Sequence, residues 1–148
     1  MLNSDEFRFY DFTVVKLAEK VKQLHDKDTV IELGHWIYSN IRYKRDGEFY
    51  GQNYIQPPAV TFKFRQGNCL DMVALMSSVL AHLNIPHKIV LGYDKKFDSE
   101  YHVWIEYQND KYVLADPARG EFWEGESKHE IRTTVLKGWV VKDETEWI

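Results

Sequence analysis

The chain has 148 residues, 44% of them apolar and 28% charged, and a net charge of −4. That length and balance fit one globular domain over residues 1–148, with enough chain to bury a proper core. The acidic balance excludes the basic face that nucleic acid requires, no apolar run approaches the ~18 residues of a membrane span, and a single cysteine excludes an internal disulfide.

The first segment, "MLNSDEFRFYDF", lacks the basic-then-apolar pattern of a signal peptide. With one thiol, a reducing, cytoplasmic location is the expectation. Val14, Leu17, Val21 and Leu24 recur at helical spacing over residues 11–26, and Val30, Leu33, Ile37 and Ile41 over residues 29–42. Thr29 is positioned to cap the second helix, with Glu32 completing a capping box. "YKRDGEFYGQNYIQPP" reads as a loop, with a turn at Asp46-Gly47 and regular structure blocked at Pro57-Pro58.

Asn68 is the expected N-cap of a third helix over residues 69–83. Leu70, Val73, Met76, Leu80 and Leu83, widened by Leu75 and Val79, give that helix an apolar surface so broad that it should be largely buried. Residues 88–93 read as a buried strand and 94–101 as a polar loop. Residues 101–107 and 111–116 read as two strands of a hairpin, 118–130 as mostly loop, and 133–141 as a final strand. Helices followed by antiparallel strands make an α+β domain, with N-terminal helices packed on an antiparallel sheet.

Cys69, His102 and Asp116 stand out in this layout. A cysteine nucleophile needs a stabilised thiolate, a base that takes and returns the proton, and a group that orients the base. Cys69 opens a helix, whose partial positive charge and unpaired N–H groups favour a thiolate. Asp71 in the same turn opposes a second negative charge while favouring the helix. If Gln108, Asn109 and Asp110 form a three-residue turn, Tyr107 pairs with Lys111, His102 with Asp116 and Trp104 with Leu114. Directly paired residues share a face. Val103, Ile105, Tyr107, Val113 and Ala115 then form an apolar opposite face. A two-residue turn would separate His102 from Asp116.

The stretch "GNCLDMVALMSSVLAHLNIPHKIVLGY" resembles the nucleophile segment of the transglutaminase-like superfamily: Gly-x-Cys opening a buried helix, then a strand ending in Gly-Tyr. "HVWIEY" resembles the family's His-x-Trp strand and "YVLADPARG" its strand ending in Asp-Pro. "HWIYSNIRYKRD" is similar to the helix and tyrosine that precede the nucleophile in bacterial members. The resemblance covers roughly residues 30–120. It implies a papain-like transglutaminase core with Cys69 as nucleophile at the N-terminus of the buried helix, His102 as general base and acid, and Asp116 as the orienting carboxylate. The implied chemistry is acyl transfer through a thioester, passed to water by a peptidase or amidase or to an amine by a transglutaminase. The backbone N–H of Cys69 is the natural first oxyanion donor; Gln66, Gln52, Tyr54 and Trp36 are open candidates for the second. Trp104 and Asn68 would line the cleft, and the partner would be a peptide or protein substrate.

Each residue alone has an ordinary explanation. Cys69 alone would be a buried apolar filler, His102 a structural strand histidine, and Asp116 before Pro117 a turn signal. Zinc uses the same ligand types, but close-spaced ligand pairs are lacking; no metal or cofactor is expected. His82 and His87 are expected to be solvated, and His25, His35 and His129 have no evident partners. Trp147 and Ile148 are expected to dock onto the body. A non-catalytic binding module that keeps the fold stands as the third reading beside hydrolase and acyltransferase.

Overall fold

In a computed structural model, residues 2–44 and 54–148 are described, with backbone alone for residues 97–100. The centre of the fold is helix α4, Cys69–His82. Asn68 caps it as the sequence predicts: its side chain accepts from the Asp71 N–H at 3.0 Å, and the Asp71 carboxylate accepts from the Asn68 N–H at 2.9 Å. This closes a capping box and meets two donors that a helix start leaves unpaired. Residues 71–80 are all buried, which accounts for a sequence apolar almost all round.

Helices α1 (Phe12–Val21) and α2 (Asp26–Asn40) pack with α4 on one face of a five-stranded antiparallel sheet. The strands are β3 (Lys88–Asp94), β4 (Phe97–Gln108), β5 (Tyr112–Asp116), β6 (Glu121–Gly125) and β7 (Trp139–Glu144), in the spatial order β6-β5-β4-β3-β7. The main core joins Val14, Leu17, Val30, Leu33 and Ile37 to Val103, Ile105, Tyr107, Val113 and Ala115 of the sheet. Helix α5, Lys128–Val135, covers the other face over a smaller core of Val90, Trp104, Tyr112, Leu114 and Ile131. The alternation of β4 and β5 therefore feeds two cores, because both faces are covered.

Several boundaries differ from the sequence reading. Asp11, not a helical residue, caps α1 by accepting from the Val14 N–H at 3.1 Å. The helix stops at Val21, and Leu24 is exposed. Helix α2 starts at Asp26 after His25, three residues before Thr29, which is buried and donates its hydroxyl to the Val21 carbonyl. Pro58 begins helix α3, Pro58–Phe64, instead of blocking structure. A proline at the first helical position gives up an N–H that has no partner there anyway. Residues 94–101 are a tight hairpin, not a loop, and 118–130 hold β6 and the start of α5. The expected last strand over 133–141 is a strand only from Trp139: α5 runs to Val135, and Gly138 at φ 88° turns the chain into β7. The Asp46-Gly47 turn lies outside the described residues.

The hairpin register is shifted from the expected one. Ile105 pairs with Ala115, Glu106 with Leu114 and Gln108 with Tyr112, so the three-residue turn is Asn109, Asp110 and Lys111. Turn length is as expected but its position is one residue later. An odd-numbered turn preserves the faces, so His102 and Asp116 stay on one side as diagonal rather than direct neighbours. His87 is fully buried between the Ser77 hydroxyl (2.7 Å) and the Ile85 carbonyl (2.9 Å), contrary to the solvated placement; burial lowers its pKa to about 4. His35 packs against Phe122 with the ring planes tilted by 44° and centroids 4.1 Å apart. At the C-terminus, the Ile148 N–H donates to the His87 carbonyl at 2.9 Å, while Trp147 stays half exposed beside Lys88.

Candidate active site

The approach to Cys69 is built by short-range contacts. Helix α3 ends at Arg65, whose φ of 55° reverses the chain. The Arg65 guanidinium lies over the rings of Phe62 (4.1 Å) and Trp36 (5.2 Å), which offsets the left-handed strain. Strand β2, Gln66–Gly67, then pairs in parallel with β1, Arg42–Tyr43. At Gly67 a Cβ would fall 2.8 Å from the Asp71 Cβ, so glycine allows Asp71 to fold back beneath the loop. There the Asp71 carboxylate also accepts the Gln56 backbone N–H at 2.8 Å and the Gln56 side-chain amide at 2.9 Å. Its charge is thus used on the loop and the cap. Cys69 is left half-buried at the first position of α4.

His102 and Asp116 meet as the sequence pattern suggests. The ring Nε2 lies 2.6 Å from the Asp116 Oδ2, and both side chains are almost wholly buried. Asp116 also makes its own turn: its Oδ1 accepts the Arg119 N–H at 3.2 Å and its carbonyl accepts the Gly120 N–H at 2.9 Å. Gly120 sits at φ 69° with the Tyr38 ring against it, so the turn needs a residue without a side chain. The carboxylate is held at both oxygens, and with Nε2 engaged, Nδ1 is the ring nitrogen left for Cys69.

Burial opposes a charged His102. Hydrogen bonds to Asp116 and Cys69, backed by the charges of both, outweigh it and raise the imidazole from 6.5 to about 9. A folded-state pKa above the unfolded value stabilises the protein fully below pH ~6.5, and that stability is lost as pH rises towards 9. The melting temperature of the wild-type chain is therefore expected to fall between those limits. In a His102→Gln variant, differential scanning calorimetry should show a flatter profile over the same range.

Behind the imidazole is a hollow of about 110 Å³ lined by His102, Asp116, Arg119, Glu121, Trp104 and Trp139, among others. Trp139 stands edge-on to His102 (centroids 5.7 Å, 60°) and to Trp104 (6.4 Å, 90°), and Arg119 lies 4.3 Å over Trp139. Trp139 and Arg119 were not singled out from the sequence. The readable signal was Lys137-Gly138, a turn that makes Trp139 the first residue of a strand.

The other predicted site residues have mixed placements. Trp104 is both core and hollow wall, and Asn68 is buried with its amide on the helix cap. The amides of Cys69 and Leu70 precede Met72, the first donor to the Asn68 carbonyl, and so lie outside the helical ladder. Gln66 directly precedes this turn. Trp36 sits in the stack with Phe62 and Arg65, Tyr54 is exposed, and Gln52 lies outside the described residues. Among the described residues no group of three His, Cys, Asp or Glu is arranged to hold a metal, and no helix is long and apolar enough to cross a membrane.

Comparison with known proteins bears on the family and the fold. The UPF0252 protein MJ1282 of Methanocaldococcus jannaschii is 35% identical over 101 residues, 57% of this chain; the chain spans 28% of that protein's length. Legionella pneumophila LapG superposes with a TM-score of 0.68 at 10% identity, covering 99% of this chain and 85% of LapG. A candidate cysteine protease from Cytophaga hutchinsonii gives 0.54 at 19% identity, covering 99% of this chain and 55% of its own. Both structural likenesses speak to the fold. The profile of the Transglutaminase-like superfamily matches residues 15–117, from the first helix through Asp116-Pro117, and the chain belongs to that superfamily.

Proposed function

We propose that the protein is a cysteine hydrolase that cleaves an amide or peptide bond through a thioester on Cys69. The observation that carries this reading is His102 held by Asp116 at 2.6 Å through one nitrogen while its interaction with Cys69 favours the charged ring. In the forward half, the Cys69 sulfur attacks the substrate carbonyl carbon as His102 holds the thiol proton. The tetrahedral oxyanion faces the first-turn amides of α4, and each such donor contributes about 2.7–4 kcal/mol to the transition state. His102 Nδ1–H then protonates the departing amine, leaving an acyl thioester. In the second half, neutral His102 takes a proton from water, the hydroxide adds to the thioester, and the carboxylic acid leaves with the thiol restored. Asp116 keeps the ring in one tautomer and orientation throughout.

The family profile and the fold of the candidate protease support the cysteine-peptidase class. Transfer to an amine uses the same first half and differs only in the acceptor. Iodoacetamide labelling is the direct test. Alkylation of Cys69 by iodoacetamide is expected to remain fast at pH 6 in the wild type, and to slow at least ~10-fold in His102→Gln. Equal rates in both would end the proposal. Mass analysis of peptide mixtures with and without added glycine ethyl ester then separates hydrolysis from transfer.

A further inference from the structure

Two strand positions beyond Trp104 and four beyond His102, Glu106 is a carboxylate with 1% exposure on the face away from the main core. It accepts from Arg132 Nε at 2.8 Å and Nη2 at 2.5 Å, and from the Trp104 indole N–H at 3.0 Å. The far end of the same indole is fixed differently. A Cβ on Gly92 would lie 2.5 Å from the Trp104 Cη2, and Gly92 is the direct cross-strand partner of His102. The indole therefore runs along the strand with its N–H end towards Glu106 and its six-membered ring towards His102. Trp139 stands edge-on to both rings and closes the remaining side.

The rim and the faces of an indole differ electrically. The rim is positive, most so at the N–H, and the faces are electron-rich, so a cation is favoured over the face of the six-membered ring. His102 and Trp104 ring centroids are 6.2 Å apart, with planes tilted by 31°. We infer that Glu106 is a positioning residue: by holding the Trp104 N–H, it fixes the tilt of the indole so that the electron-rich face of its six-membered ring lies beside His102 and supports the imidazolium. This rests on the assignment of Cys69 and His102 as reacting groups. Gly92 belongs to the same device, since any larger residue would push that ring end away.

Other charges face His102 as well. Cys69 comes from α4 and Asp116 from β5, while Arg119 and Glu121 line the hollow. Behind Trp104, Arg132 neutralises Glu106 and is itself paired with Glu144, which Lys128 and Lys88 also reach. Any through-space effect of Glu106 must therefore be separated from its effect through the indole.

NMR titration of the His102 ring in four proteins makes that separation: the wild type, Glu106→Gln, Trp104→Phe and the double variant. Glu106→Gln is expected to lower the His102 midpoint by about half a pH unit. In the Trp104→Phe background, which has no N–H to hold, the same change should have little further effect. Glu106→Asp is the companion variant: it keeps the charge but withdraws the carboxylate from the indole, and should lower the midpoint too. A shift of equal size in both backgrounds, or none in Glu106→Asp, overturns the inference. Iodoacetamide rates on the same proteins report separately on Cys69. If wild-type labelling ignores His102 titration, the hydrolase reading fails, while the ring titrations still decide the role of Glu106.

Discussion

Replacing Cys69 by alanine is expected to leave the fold and melting temperature nearly unchanged and to abolish amide cleavage. The residue is half-buried at the first position of α4, where alanine suits the helix and the capping box of Asn68 and Asp71 is untouched. Stability should change by less than ~1 kcal/mol. Turnover should fall by several orders of magnitude, because the covalent route is removed and only binding and the oxyanion amides remain. Asp116→Asn should cost about 10³–10⁴ in kcat. An amide in that place can donate to Nε2, which would force the ring proton onto Nδ1, where Cys69 needs an acceptor. If Cys69, His102 and Asp116 act as one unit, as proposed, a Cys69→Ala/Asp116→Asn double variant should be no slower than Cys69→Ala alone. Peptide cleavage followed by mass spectrometry, with circular dichroism on each variant, checks both halves. Residual cleavage by Cys69→Ala above one part in a hundred would show that the sulfur is not the nucleophile.

The local geometry of the candidate site was more legible in the sequence than the frame around it. Asn68, Cys69 and Asp71 form a local motif whose geometry follows from helix capping, and it was readable without tertiary knowledge. His102 and Asp116 were legible because strand alternation fixes faces even when the register is off by one residue in the turn. Helix α5 was missed because it is short and mostly polar: of its residues only Ile131 is buried. Its anchoring comes from Arg132 reaching Glu106 and Glu144, residues 26 and 12 positions away, and charge pairs at such separations leave no periodic trace. Trp139 was hidden for the same reason, since its importance comes from Arg119 and His102, both distant in sequence. Gly92 was visible as part of Gly-Tyr, but why no side chain fits there depends on the Trp104 ring lying across it.

Loss of Arg132 should be strongly destabilising on the second face of the sheet. In Arg132→Met, Glu106 stays almost wholly buried with no cation beside it, keeping only the Trp104 N–H and the neighbouring Tyr112 hydroxyl. An uncompensated buried carboxylate costs about 3–5 kcal/mol, a large part of a small domain's total stability. Urea unfolding should show that loss as a shift in midpoint. Replacing both partners, Glu106→Leu with Arg132→Met, removes the stranded charge and should recover more than ~1 kcal/mol, although the Trp104 N–H then lacks its acceptor. Acid sensitivity gives an independent check. Burial works against the Glu144 charge, but Arg132 and Lys128 outweigh it and hold that carboxyl down to about 2, below its usual 4.5. A depressed folded-state pKa stabilises the protein above pH ~4.5, and that contribution is lost as pH falls towards 2. Without Arg132 the depression shrinks to what Lys128 and Lys88 sustain, so the acid limb of the stability curve should flatten in Arg132→Met. A double variant no more stable than Arg132→Met, together with an unchanged acid limb, would mean that α5 is held by its apolar contacts through Ile131 and not by this charge network.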